Sequence, residues 1–401
     1  MFNHFNPQIS YFATTDFRNT NEQFGIKQND RMVGLYILGK TGTGKTNLLE
    51  TLIYQDIYFN RGICVMDVNG DLIKKVASMI PNYRKENTVY LDTSDVNLTW
   101  GYNPLKRVAY PYRHLIASHI IETFQKLWGQ QAWGIKLEHI LRNVILTLLD
   151  QEKSDFTDIN RILVDSEFRK SCMNCIVSKE VLSFWEKEFP SYSKADVLPV
   201  LNKVGSFMAI PTIKKILVDN KVQISIGDIV NNQKVMLVNL SKGTLGVDAA
   251  HLLGSLLLNA FSSAGFYRTT IPESERKPFF IYLDEFQNFT TLSLVNMFAE
   301  LRKFKIAFIL AHQYLGQLNP KIKDAIMGNI GSIVCFRMSY DDAKYMAHEF
   351  FPYIEVKDFI NLQNYRIYTK LLIDGMPGKP LSASTIRLSA PIVESTKEDA
   401  F

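Results

Sequence analysis

The stretch Gly39-Lys40-Thr41-Gly42-Thr43-Gly44-Lys45-Thr46 meets every fixed position of the pattern G-x-x-x-x-G-K-[ST]. Its flanks agree with it. Met32–Leu38 (MVGLYIL) is apolar and strand-like, and Asn47–Ile53 (NLLETLI) carries apolar residues at helical spacing. In a strand–loop–helix unit the glycines let the backbone wrap closely round a phosphate. Consecutive N–H groups and a helix N-terminus then face the anion. Lys45 sets its charge against the β/γ-phosphates, and Thr46 offers a hydroxyl to Mg2+. Gly39, Thr41, Gly42, Thr43, Gly44, Lys45 and Thr46 are therefore the expected ATP-binding residues. The bland alternative, a chance glycine-rich turn, needs the strand, the helix and all fixed positions to coincide.

The remaining composition sets outer bounds. A chain of 401 residues exceeds the usual single-domain size, so one large α/β domain with an insertion or second lobe is expected. A hydrophobic fraction of 46% and a charged fraction of 21% are those of an ordinary globular protein. The net charge of +5 is compatible with nucleic acid without arguing for it, because DNA binding needs a local basic surface. Four cysteines suggest a reducing compartment and no disulfide framework. Cys172 and Cys175 form a lone C-x-x-C better explained by helix packing than by zinc. The N-terminus shows no signal-peptide pattern. Ala249–Phe266 has no Asp, Glu, Lys or Arg, yet it includes His251, Ser255, Asn259 and two glycines, which favours a buried helix over a membrane span.

Along the chain, residues 1–31 read as an irregular lead-in or edge. Strand-like segments follow at Gly62–Asp67 and Thr88–Leu91. Between about 103 and 217, His114–Leu127, Lys136–Leu149, Phe156–Leu163, Ser178–Glu188 and Ala195–Met208 all show helical spacing, which implies an all-α insertion. Strand-like runs then resume at Lys234–Leu240, Phe279–Glu285, Ile306–Gln313, Ser332–Met338 and Tyr365–Asp374. Near-continuous apolar strands separated by helices mean a mostly parallel sheet covered on both faces. The expected division is 32–102 with 218–390 as the nucleotide-binding domain, 103–217 as the insertion and 391–401 as a loose tail.

A phosphate loop needs a partner acid, and Phe279–Glu285 (FFIYLDE) supplies two at the end of an apolar strand, in the Walker B form. Asp284 is expected to hold Mg2+ through water, and Glu285 to orient and deprotonate an attacking water. Gln313 ends the next strand, where ligands of open α/β sheets bind, and suits a γ-phosphate sensor better than its neighbour His312. Asp67 either supports the metal shell or caps the helix that follows it.

Taken in order, the phosphate loop, Asp67-Val68-Asn69-Gly70-Asp71, the helical insertion, LDEFQNF, LRKFKIAFILAHQYLGQL and NIGSIVCFRM resemble the FtsK/HerA superfamily. Within it the resemblance is to the TraD/TraG-type coupling proteins of type IV secretion, and it extends from about residue 24 to 385. It implies a RecA-like P-loop NTPase fold with an inserted all-helical domain. It also implies a homo-hexameric ring with ATP at subunit interfaces, and DNA held through its phosphates in the channel. An arginine from the neighbouring subunit completes each site in that group; Arg302 stands at the matching place, with Arg337 as the fallback. Two departures stand out. Relatives often carry Pro and a basic residue or His where this chain has Val68 and Asn69. They also begin with transmembrane helices, whereas no integral membrane segment is read here. The expectation is a cytoplasmic protein that reaches a membrane only through a partner. A relaxase or secretion partner fits a conjugative DNA translocase, a nuclease partner fits a HerA-like helicase, and a protein-recruiting assembly module is the alternative of another class. Arg142, Lys170, Lys179 and Lys203 are candidate phosphate contacts or plain solvated charges. Trp128, Trp133 and Trp185 are core residues or base-stacking ones.

Overall fold

The computed structural model describes residues 5–16, 21–106, 108–129 and 133–386; the expected tail at 391–401 lies outside them. In chain order the strands are β1 (Ile9–Thr15), β2 (Gln23–Lys27), β3 (Leu35–Leu38), β4 (Gly62–Asp67), β5 (Thr88–Asp92), β6 (Trp100–Gly101), β7 (Val222–Gln223), β8 (Val235–Asn239), β9 (Phe279–Leu283), β10 (Ile306–His312), β11 (Ser332–Cys335), β12 (Arg366–Lys370), β13 (Leu372–Ile373), β14 (Met376–Pro377) and β15 (Leu381–Thr385). Eleven of them form one sheet, ordered β2-β1-β15-β12-β11-β3-β10-β9-β4-β8-β5. From β11 to β5 every pairing is parallel. From β2 to β11 every pairing is antiparallel.

The parallel strands are buried on both sides, and alternate residues feed two cores. Leu35 and Ile37 of β3, Ile63 and Val65 of β4, and Phe280 and Tyr282 of β9 face one core. There they meet Leu48, Leu49, Leu52, Ile53 and Ile57 of the helix Lys45–Tyr58. Tyr36, Leu38, Cys64, Met66, Ile281 and Leu283 face the other core, with the helix Val247–Tyr267 and most of the helical segment. Burying each such aliphatic or aromatic side chain is worth about 1.5–3 kcal/mol. By length and composition the span Val247–Thr270 could cross a membrane, but 78% of its most apolar window is buried inside the molecule.

All described elements between β6 and β7 are helical. The two ends of that segment are pinned together, because β6 and β7 pair in parallel and Tyr102 and Ile224 continue the backbone bonding. One expected helix is broken: Lys179–Ser183 passes into a π turn at Phe184–Glu188, and Pro190 in the next turn stops propagation.

Two expectations need correction. The described residues of 1–31 lie at the edge of the sheet but are not irregular, since they supply β1 and β2 and the short helix Gln28–Arg31. Gln55, on the helix Lys45–Tyr58, holds β1 in place with both ends of its amide, accepting from Tyr11 N (2.9 Å) and donating to Tyr11 O (2.6 Å). The expected strand Tyr365–Asp374 is interrupted after Lys370, and β15, which extends the antiparallel half, was not anticipated.

Candidate nucleotide site

Because β4, β8, β9, β10 and β3 are parallel, their C-terminal ends lie along one edge of the sheet, where ligands of such sheets bind. The loop after β3 has the backbone that its glycines permit. Gly42 (φ +77°) and Gly44 (φ +122°) take values that L side chains rarely adopt. A Cβ on Gly44 would stand 2.9 Å from the Tyr365 ring, whereas one on Gly42 would meet nothing. Thr43 is fully buried and ties the loop to itself, Oγ1 donating to Lys40 O (2.7 Å). Thr41 is exposed and Thr46 half-buried. Lys45 Nζ donates to the carbonyls of Gly39 (2.7 Å) and Lys40 (3.1 Å), so the ammonium already lies inside the loop. Burial pushes the Lys45 ammonium down, and the charges of Glu285 and Asp284 pull it back up.

Asp284 and Glu285 follow β9 directly and are each 8% exposed. Asp284 Oδ1 accepts from Glu285 N (3.0 Å). Burial first, then the neighbouring Asp67 and Glu285 charges, pushes the Asp284 carboxyl up to about 7. An acid crowded by acids and by dry surroundings suits a hard divalent cation, which would offset that charge. No group of three or more His, Cys, Asp or Glu that could cage a metal occurs among the described residues. Mg2+ is usually held by one or two protein oxygens plus phosphates. Glu285 sits in the left-handed region (φ +51°), which turns its side chain away from the strand direction. Its Oε1 accepts from Gln313 Nε2 at 2.5 Å. His312 points elsewhere: it is fully buried, 3.0 Å from the Tyr36 hydroxyl through Nδ1, and burial pushes it down to about 3.

Asp67 ends β4. Its two oxygens accept from Asn69 N (2.8 Å) and Leu72 N (3.1 Å), so it braces the turn leading into the helix Asp71–Ser78, whose N-cap is Gly70. Burial raises its carboxyl nonetheless. Arg302 is exposed on the turn before β10, at the end opposite Gln313. Seven strand residues span about 20 Å, so Arg302 cannot reach its own subunit's phosphate loop. Arg337 lies beside that loop, its backbone carbonyl accepting from Lys40 N (2.9 Å).

Lys242 was missed by sequence reasoning. It follows the C-terminal end of β8, and its charge feels Glu285 and Asp67. Its Nζ donates to Asn288 Oδ1 (2.6 Å). The signal was positional: a basic residue two or three beyond a parallel strand of this sheet faces the same edge. The basic residues of the helical segment are mostly engaged locally, as in Arg142 with Glu138 (3.0 Å) and Lys203 over the Trp128 ring (4.4 Å). Trp185 is buried and bonded to Thr147 (2.7 Å), while Trp128 and Trp133 are partly buried and stacked at 6.0 Å.

Comparison with known proteins agrees with this architecture. The chain is 22% identical over 397 residues to the type 4 coupling protein DotL of Legionella pneumophila, covering 82% of this chain and 50% of that protein. It thus spans about half the length of that relative. Among solved structures it resembles the plasmid coupling protein TrwB in complex with the non-hydrolysable GTP analogue GDPNP (TM-score 0.69, 14% identity, 95% of this chain and 96% of that chain). A TrwB complex with ADP and Mg2+ matches equally (TM-score 0.69, 14% identity, 96% of each chain). VirB4 of Thermoanaerobacter pseudethanolicus is also similar (TM-score 0.63, 13% identity, 95% of this chain and 97% of that chain). These likenesses establish a RecA-like fold. The family described as the type IV secretion-system coupling protein DNA-binding domain matches residues 24–359, and the chain belongs to that family.

Proposed function

We propose that this protein is an ATP-hydrolysing ring motor that translocates DNA for type IV secretion, as in conjugative transfer. The observation that carries the reading is the convergence of Lys45, Asp284, Glu285 and Gln313 at one sheet edge, with Gln313 and Glu285 in direct contact. The family match and the nucleotide complexes of TrwB support it.

In this reading the phosphate loop and Lys45 bind the β/γ-phosphates. Thr46 and the shell of Asp284 would hold Mg2+, which would offset charge on the phosphate oxygens. Glu285 orients a water and takes its proton as the water oxygen bonds to the γ-phosphorus and the bridge to ADP breaks. Gln313 senses the γ-phosphate. Asp67 acts through the turn it braces. Arg302, too far for its own site, serves the neighbouring subunit's γ-phosphate, which requires a homo-hexamer or similar ring. The helical segment 103–217 acts as an inserted domain facing DNA or a secretion partner such as a relaxase.

The test is ATP hydrolysis with and without double- and single-stranded DNA, together with oligomeric mass in nucleotide. Stimulation of several-fold or more, abolished in Glu285→Gln, with ring formation, supports the motor. Hydrolysis indifferent to DNA contradicts it and favours a protein-recruiting assembly.

A further inference from the structure

Both carboxylate oxygens of Glu285 are occupied by amides. Gln313 Nε2 donates to Oε1 (2.5 Å) and Gln287 Nε2 donates to Oε2 (2.7 Å). Each amide takes an acceptor position that an attacking water would otherwise use and fixes the direction in which the carboxylate points. Gln313 belongs to the site already described; Gln287 does not. Gln287 stands on the 3-10 turn Phe286–Asn288 directly after Glu285. Its own Oε1 is buried without a hydrogen-bond partner among the described residues, an arrangement that costs free energy. The described side-chain hydrogen bond of this amide is the one to Glu285, and its oxygen gains a partner only if the side chain moves. Such a side chain is poised to leave.

The same turn is gripped from outside. Asn288 donates to the Glu285 carbonyl (2.6 Å), and its Oδ1 faces both Lys242 Nζ (2.6 Å) and His251 Nε2 (3.3 Å). The Phe289 ring lies against Gly254, where an added Cβ would come within 2.5 Å. Thr290 receives Lys126 Nζ (3.1 Å) from the helix Arg113–Trp128 of the helical segment. Residues 285 to 290 thus run without a break from the hydrolytic carboxylate to the element expected to face DNA.

We propose that Gln287 is a positioning residue that holds Glu285 in a resting arrangement. Displacement of the helix Arg113–Trp128, passed through Lys126 and Thr290, withdraws Gln287 and frees Glu285 for water. The inference rests on the hydrolase reading of Glu285. It predicts that removing the Gln287 donor raises the DNA-free rate, the opposite of what damage to the site would do.

The experiment is steady-state ATP hydrolysis by the full chain, with and without double-stranded DNA, for the natural protein, Gln287→Met, Lys126→Ala and Glu285→Gln. Gln287→Met is expected to raise DNA-free kcat by about tenfold to a hundredfold, the factor for losing one hydrogen bond to a charged group. KM for ATP should stay within twofold, and the ratio of DNA-stimulated to DNA-free rate should fall. Lys126→Ala is expected to lower that ratio as well. If Gln287→Met does not fold, Gln287→Ala is read by the same numbers. A DNA-free kcat equal to or below the natural rate in a folded Gln287 variant overturns the inference while leaving Glu285 in place. Undiminished hydrolysis in Glu285→Gln overturns the reading beneath it, and the inference with it. A natural chain unmoved by DNA overturns the coupling to the helical segment.

Discussion

The Arg31–Asp56 pair offers a quantitative test of how the phosphate-loop helix is fixed to its sheet. Both side chains are wholly buried, and the guanidinium meets the carboxylate bidentately with Nη1–Oδ1 and Nη2–Oδ2 both 2.7 Å. Arg31 also bonds Ser10 (3.0 Å) and lies 4.0 Å over the Phe280 ring. Asp56 receives Arg61 (2.8 Å) and the Tyr282 hydroxyl (2.5 Å), which belongs to the Walker B strand β9. Removing one partner leaves an uncompensated charge in a dry place, which costs about 3–5 kcal/mol. Arg61 remains, so Arg31→Met should cost near the lower end, about 3 kcal/mol. Replacing both charges with apolar groups removes the attraction and most of the desolvation penalty together. The double variant Arg31→Met/Asp56→Leu should therefore be at least about 2 kcal/mol more stable than the sum of the singles requires. Urea unfolding of the four proteins, with unchanged m-values, measures this. Additivity within about 0.5 kcal/mol would refute the reasoning.

The same pair makes a pH prediction. Burial alone would raise the Asp56 carboxyl, but Arg31 and Arg61 outweigh it and hold the group below the usual carboxylate range. Its folded value is thus depressed. The stability it contributes is present above about pH 4, the ordinary carboxylate value, and is lost as pH falls through the lower folded value. In Arg31→Met the carboxyl is no longer held so far below its unfolded value, so this acid loss should shrink, as acid titration of unfolding would reveal.

Other expectations are simpler. Leu52→Ala empties a fully buried position under the sheet and should cost about 2–5 kcal/mol in urea unfolding. Gly44→Ala, forcing a Cβ to 2.9 Å from the Tyr365 ring at φ +122°, should weaken binding of a fluorescent ATP analogue by tenfold or more. Gly254→Ala should overpack the Phe289 contact and cost about 1–3 kcal/mol, read as a lowered unfolding midpoint.

The strand–loop–helix unit around Gly39–Thr46, the acid pair that follows β9 and the buried strands were legible because each carries a strong local signal. Phe279–Leu283 is continuously apolar, and Gly39–Thr46 has fixed spacing. The N-terminal strands were not legible, since ISYFATT and QFGIK are short and partly polar. They are held by long-range partners, above all Gln55 clamping Tyr11, that no window of sequence contains. The pairing of Gln287 with Glu285, and the approach of Lys242 from a strand two places away from β9, likewise depend on the order of strands in the sheet. Asp67 could be read only as an acid at a strand end, and its bonds to Asn69 N and Leu72 N depend on how the turn after β4 folds back.

The claim on which the rest depends is that Glu285 performs chemistry at the site that Lys45 builds. It is tested most directly by measuring Mg2+-ATP binding and single-turnover hydrolysis in parallel for the natural chain, Lys45→Ala and Glu285→Gln. The account predicts that Lys45→Ala loses binding. It predicts that Glu285→Gln binds as tightly as the natural chain while its hydrolysis rate falls by about a hundredfold or more. Hydrolysis by Glu285→Gln at the natural rate, with binding intact, would contradict it.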